Sequence, residues 1–274
     1  FVMGVDRPEA ERVAADLGYE SYHQIAAEEW FPRRLEYVRG FFIDRCEVTN
    51  HRWSRYVRAS GHESPDKRRK RPPGGPAQWA AYPVVRVLWA EAQQYANWAG
   101  KSLPSERQWE KAARGTDGRR FPWGDEPLDG KRGVFVHLEN DKPTRMAVVG
   151  SKPAGASPYG CLDMAGNVYE WTSDWHEPYP NNPEYERMLS YMGHKNGVLR
   201  GGSFYHARAA YVCAKRFGFK PDETYYHVGF RTVWRPPAGW FGTEEFENAR
   251  QAVEQRREEL AKRRKNAAPA PKHF

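Results

Sequence analysis

The sequence predicts an α+β domain with little regular secondary structure, and three observations carry that expectation. Glycine (24) and proline (21) are plentiful among the 274 residues, above ordinary usage. Aromatic residues make up 14%, more than a disordered chain carries. Helical patterning is confined to short stretches, and a long turn-rich span follows them. Only 39% of residues are hydrophobic and mean hydropathy is -0.89. No run approaches the ~18 apolar residues of a membrane helix, so no spanning segment is expected.

The elements follow in order. Pro8 to Leu17 reads as a polar helix stopped by Gly18, and Phe41-Phe42-Ile43 as a strand. Thr49 can cap a helix beginning at Asn50, with Trp53, Tyr56 and Val57 on one face. Trp89 to Ala99 is the next helix, closed by Gly100. Ser105 starts another, with Gln108 completing a capping box and Gly115 ending it. After Gly115 no helix is expected until the tail. Short apolar pieces lie between Gly, Pro, Asn and Asp turns, and a bound metal ion is one way to order such a region. From Thr243 the tail reads as one exposed helix. Its Glu244, Glu245 and Glu247 open it and Lys262 to Lys265 close it, matching the helix dipole. Phe246, Val253 and Leu260 form a seam too thin for a coiled coil alone. That helix is either solvated or docked, and the last residues read as a disordered basic tail.

Net charge is +8. The run Lys67-Arg68-Arg69-Lys70-Arg71 and the tail carry most of it, which leaves the body near neutral. A basic face built into the fold is missing, which argues against nucleic acid. The three cysteines make neither a disulfide framework nor a zinc pattern. The chain starts at Phe1, and no leader is visible in it.

Four segments carry a resemblance. They are Phe42-Ile-Asp-Arg-Cys-Glu-Val-Thr-Asn50; Leu103-Pro-Ser-Glu-Arg-Gln-Trp-Glu-Lys-Ala-Ala-Arg-Gly115 with Phe121-Pro-Trp-Gly124; Ser157-Pro-Tyr-Gly-Cys-Leu-Asp-Met-Ala-Gly-Asn-Val-Tyr-Glu-Trp171; and Leu199-Arg-Gly-Gly-Ser203 with Val228-Gly-Phe-Arg231. In this order they resemble the formylglycine-generating enzymes, or sulfatase-modifying factors. The resemblance implies the fold of that family, a C-type lectin-like variant, over residues 1–236, with residues 237–274 as an appendage.

The resemblance also implies calcium, held by the Asp163 and Glu170 carboxylates and the Gly166 and Val168 carbonyls. Hard oxygens in such a mixture suit that ion. The alternative is that Asp163 caps a turn and Glu170 pairs with an arginine. The copper-dependent oxidases of the family use two cysteines five residues apart after the Gly-Gly-Ser turn. Here Cys213 matches the second, and Arg208 stands where the first is expected. A guanidinium cannot ligate copper, so formylglycine-generating activity is not expected.

Two functions remain. One is an accessory, partner-binding protein, periplasmic or extracellular, docking through Phe246, Val253, Leu260 and the Lys67–Arg71 loop. The other is an oxidative metalloenzyme rebuilt near Cys213, like the maturation oxidases of natural products, with His206, His227 and Tyr211 as its further candidates. Two histidines and a cysteine can bind copper or iron, though neither is the expected cofactor. Ordinary aromatic packing around these histidines is the other explanation for the pattern. Iron enzymes of the ergothioneine type carry a separate helical domain, for which residues 1–45 are too short.

Overall fold

The computed structural model describes residues 1–17, 29–62, 75–136, 145–206 and 208–266. The basic run Lys67–Arg71 and residues 267–274 lie outside them. Two compact units divide between Trp234 and Arg235. In chain order the first holds β1 (Val2–Met3), α1 (Arg7–Asp16), β2 (Arg34–Leu35), β3 (Phe42–Ile43), α2 (Asn50–Ser60), α3 (Gly75–Ala81), α4 (Trp89–Trp98) and α5 (Glu106–Arg114). It continues with β4 (Tyr169–Trp175), α6 (Tyr185–Leu189), β5 (Gly197–Arg200), β6 (Phe217–Phe219), β7 (Val228–Gly229) and β8 (Val233–Trp234). The second unit holds α7 (Glu244–Asn266).

Local chemistry explains the helix ends. Thr49 accepts a hydrogen bond from the Arg52 amide, and Gly61 leaves α2 with φ +68°. Ser105 Oγ accepts the Gln108 amide while Gln108 Oε1 accepts the Ser105 amide at 2.9 Å, so two orphan donors of α5 are satisfied at once. Two short helices depart from the sequence expectation: α3, and α6 after Gly115. α6 has only five residues, too few to show a helical period.

The central sheet runs β6-β5-β4-β7. β4 pairs antiparallel with β5, Glu170 opposite Arg200, and parallel with β7, Tyr169 opposite Val228. Tyr169, Trp171 and Trp109 are fully buried. Burial of one such side chain contributes about 1.5–3 kcal/mol. The inner faces of α2 and α4 add a stack of Trp53 on Tyr95, centroids 5.7 Å apart, closed by Phe230.

A buried ionic set ties α5 to the strands. Glu106 accepts Arg216 Nε at 2.6 Å and Arg200 Nη1 at 3.2 Å, and Glu110 accepts Arg200 Nη2 at 2.6 Å and Arg114 Nη1 at 3.1 Å. Burial pushes the Glu106 carboxyl up, but Arg216 and Arg200 outweigh it and hold it below the usual range.

In the second unit, Thr243 Oγ1 accepts the Phe246 amide and starts α7. Phe246 packs on Trp240 and Phe241, with centroids 5.3 and 5.5 Å away. The side chains of Val253 and Leu260 lie outside the described residues. Among the described residues, no helix is long and apolar enough to cross a membrane.

Candidate functional site

The loop before β4 is wound tightly. Asp163 and Asn167 both take left-handed backbone, φ +59° and +60°, which costs non-glycine residues energy. Gly166 between them has φ +91°, and a Cβ there would sit 2.5 Å from the Val134 carbonyl. Only glycine fits.

Two carboxylates near this loop are incompletely satisfied. Asp163 Oδ2 accepts the Gly150 amide at 2.6 Å, while Oδ1 has no partner. Glu47 Oε1 accepts Asn167 Nδ2 at 2.9 Å, while Oε2 has none. Both residues are buried. Burial first, then Asp163 and Glu170, pushes the Glu47 carboxyl well above its ordinary value.

Glu170 is different. It accepts Arg231 Nε and Nη2 at 2.6 and 2.7 Å, and Trp109 Nε1 at 2.9 Å. Three donors occupy three of its roughly four lone-pair sites. Asp163 Oδ1 is therefore more available to a hard cation than Glu170, which has one lone pair left to offer. Glu47 adds a further free oxygen. Sequence reasoning passed it over, although it stands in the quoted Cys-Glu-Val-Thr-Asn segment. Among the described residues, no group of three or more His, Cys, Asp or Glu is arranged to hold a metal. A cation here would need the backbone carbonyls.

A second corner forms after β5. Gly202 turns with φ +74°, and a Cβ there would lie 2.6 Å from Tyr211 Cδ1. The turn thus presses on the short 3-10 segment Arg208–Tyr211. The Tyr211 hydroxyl lies against the Ser203 and His206 carbonyls and accepts the Val136 amide. Its role is to fix the backbone that carries His206.

His227 arrives from the other side. The Tyr169 amide donates to its carbonyl, an extension of the β4–β7 pairing. The structure brings His206 and His227 together, ring centroids 4.8 Å apart. Tyr169 stands 4.8 Å from His206, and Tyr226 stands 4.7 Å from His227. Tyr205 and Tyr226 form the exposed rim. Burial holds the His206 imidazole down to about 4. Burial, then His206 and Arg86, holds His227 down to about 3. Both rings are neutral at pH 7 and offer nitrogen lone pairs.

Cys213 does not join them. Its side chain packs with Trp109, Cys161 and Met164 in a separate part of the core. Burial pushes its thiol up to about 12, so no thiolate is present at neutral pH. Arg208 is exposed. A site uniting Cys213 with both histidines is therefore not assembled. The reason is directional: the chain passes Tyr211 into one cluster and Cys213 into the other.

The family described as the sulfatase-modifying factor enzyme 1-like domain matches residues 6–236. The formylglycine-generating enzyme of Streptomyces coelicolor is 32% identical over 247 residues, covering 71% of this chain and 78% of that protein. Hercynine oxygenase of Mycobacterium tuberculosis is 31% identical over 268 residues, covering 85% of this chain. The chain spans 59% of the length of that enzyme. Among solved structures, PvdO from Pseudomonas aeruginosa superposes with a TM-score of 0.64 at 23% identity, covering 85% of this chain and 90% of that one. That likeness shows a common fold, and the α+β architecture expected from the four motifs is the one found.

Proposed function

The chain belongs to the sulfatase-modifying factor family, and from that premise we propose that it is a calcium-stabilised member that does not generate formylglycine and acts as an accessory, partner-binding protein. One observation carries the loss of activity. Cys213 is a buried thiol packed in the core with Trp109, Met164 and Cys161, and an exposed Arg208 stands where the first copper cysteine is expected. Calcium is supported by the orphaned oxygens of Asp163 and Glu47 beside the strained loop. A role outside the cytoplasm, in the periplasm or beyond the cell, goes with that ion, since free calcium is high there. The C-terminal unit and the Lys67–Arg71 loop are the proposed docking elements.

The test is a mass measurement on a sulfatase-type cysteine peptide incubated with the protein, copper and oxygen. The peptide mass should not change, and Arg208→Cys should not alter that outcome. Oxygen-dependent conversion of the cysteine to formylglycine would overturn the reading. A second reading, an oxidative metalloenzyme, loses Cys213 to the core; the His206–His227 pair and the likeness to hercynine oxygenase remain in its support.

A further inference from the structure

We infer that His206 and His227 form a two-imidazole site for a late first-row divalent transition ion, independent of Cys213. The inference goes beyond the accessory role and requires no oxidation step. Three features of the corner support it.

The first is spacing. The ring centroids are 4.8 Å apart with planes inclined by 52°. Two imidazoles sharing a tetrahedral ion, with metal–nitrogen bonds near 2.0–2.1 Å, place their centroids about 5 Å apart. The ring separation matches that of two imidazoles on one ion.

The second is an unmet need. His227 is only 7% exposed, yet neither ring nitrogen has a hydrogen-bond partner. A buried polar nitrogen left without a partner costs free energy. A bound ion would supply the missing interaction. The third feature is orientation. Ser203 Oγ lies 2.8 Å from His206 Nδ1; with the proton on Nδ1 donated to that hydroxyl, Nε2 carries the lone pair for an ion. An outer partner of this kind is what holds a ligating histidine in place.

The donor type selects the ion. Imidazole suits nickel, copper and zinc, and the affinity order of divalent ions places copper first. Phe219 and Tyr169 wall the inner side, 5.8 and 4.8 Å from the nearer imidazole. Two protein donors leave coordination positions open. Tyr205, which is 61% exposed, lies beside both rings at the rim. An incoming small ligand with its own donor atom can complete the sphere there.

The experiment uses the full chain, stripped of metal and then kept in millimolar calcium so that oxygen sites are filled. Copper(II) alone is the probe, because its electron paramagnetic resonance spectrum counts the bound nitrogens. The expected result is one tight equivalent whose spectrum shows coupling to two imidazole nitrogens. His206→Phe and His227→Phe should each weaken copper binding at least tenfold, and Cys213→Ala should leave it unchanged. His206 is half-buried, so its variant is the safer test of folding, and the spectrum of the unmodified protein does not depend on any variant. Absence of a tight equivalent, a spectrum without two nitrogens, or affinity retained in both histidine variants would overturn the inference. The peptide assay reads the proposed function separately, so either can fail alone.

Discussion

Around α5, Glu106 and Glu110 have a donor on every carboxylate oxygen; near the loop before β4, Glu47 and Asp163 each keep one oxygen without any. Both regions are buried and both are built from conventional acidic side chains. In the first, arginines from β5 and the segment before β6 complete the set within the protein. In the second, Arg231 is spent on Glu170. The difference separates scaffold from site. A saturated network locks one arrangement, whereas an unsaturated one persists when something outside the chain completes it.

The largest effect expected from breaking this contrast lies at Glu170, the carboxylate of the second region that Arg231 saturates. Arg231→Ala strands the Glu170 carboxylate in a fully buried position, and loss of one partner of such a pair costs about 3–5 kcal/mol. Urea unfolding should show a loss of that order. A variant within about 1 kcal/mol of the parent would mean that the pair is not part of the scaffold.

Calcium removal should have the next largest effect. Chelation should lower stability by about 3–4 kcal/mol if the ion is normally present at several hundred times its dissociation constant. Glu47→Gln should shrink that calcium increment and leave the calcium-free protein no less stable, since the buried side chain then has no proton to lose as pH rises. The pH dependence has a definite sign. The Glu47 carboxyl is raised above its ordinary 4.5 in the fold, so the folded state holds the proton more tightly than the unfolded one. Its contribution to calcium-free stability is present below about 4.5 and fades as pH rises through the raised value. Calcium should flatten that slope. Melting curves that ignore both chelator and pH would refute calcium binding here.

The smallest effect is expected from deleting residues 240–274. The first unit holds all four motif segments, so its stability should change by no more than about 0.5 kcal/mol, with loss of co-purification with a native partner. Aggregation or early melting of the truncated chain would place the tail in the core instead.

What could be read in the sequence was local. Thr49 and the Ser105–Gln108 box declare their helices within four residues, because the groups that satisfy each other are neighbours in the chain. β4 gave no such sign. Tyr169 to Thr172 are buried without interruption, so alternation between faces never appears. The site divides in the same way. Asp163 and Gly166 belong to one contiguous motif and could be singled out. Glu47 matters through Asn167, 120 residues away, and no spacing rule reaches that far. Cys213 misled because the resemblance puts it and the histidines in one active-site stretch, whereas its side chain turns into a different cluster. The packing of Phe246 was not legible, because its neighbours Trp240 and Phe241 precede the predicted start of the helix.

The seam between β3 and β8 has a consequence for how such a body is made. Phe42 pairs with Trp234 and Ile43 with Val233, joining an early strand to the last strand of the unit. A ribosome delivers β3 early and its mate last, so this seam cannot close until nearly the whole unit has emerged. Contacts of such high sequence separation are slow to form.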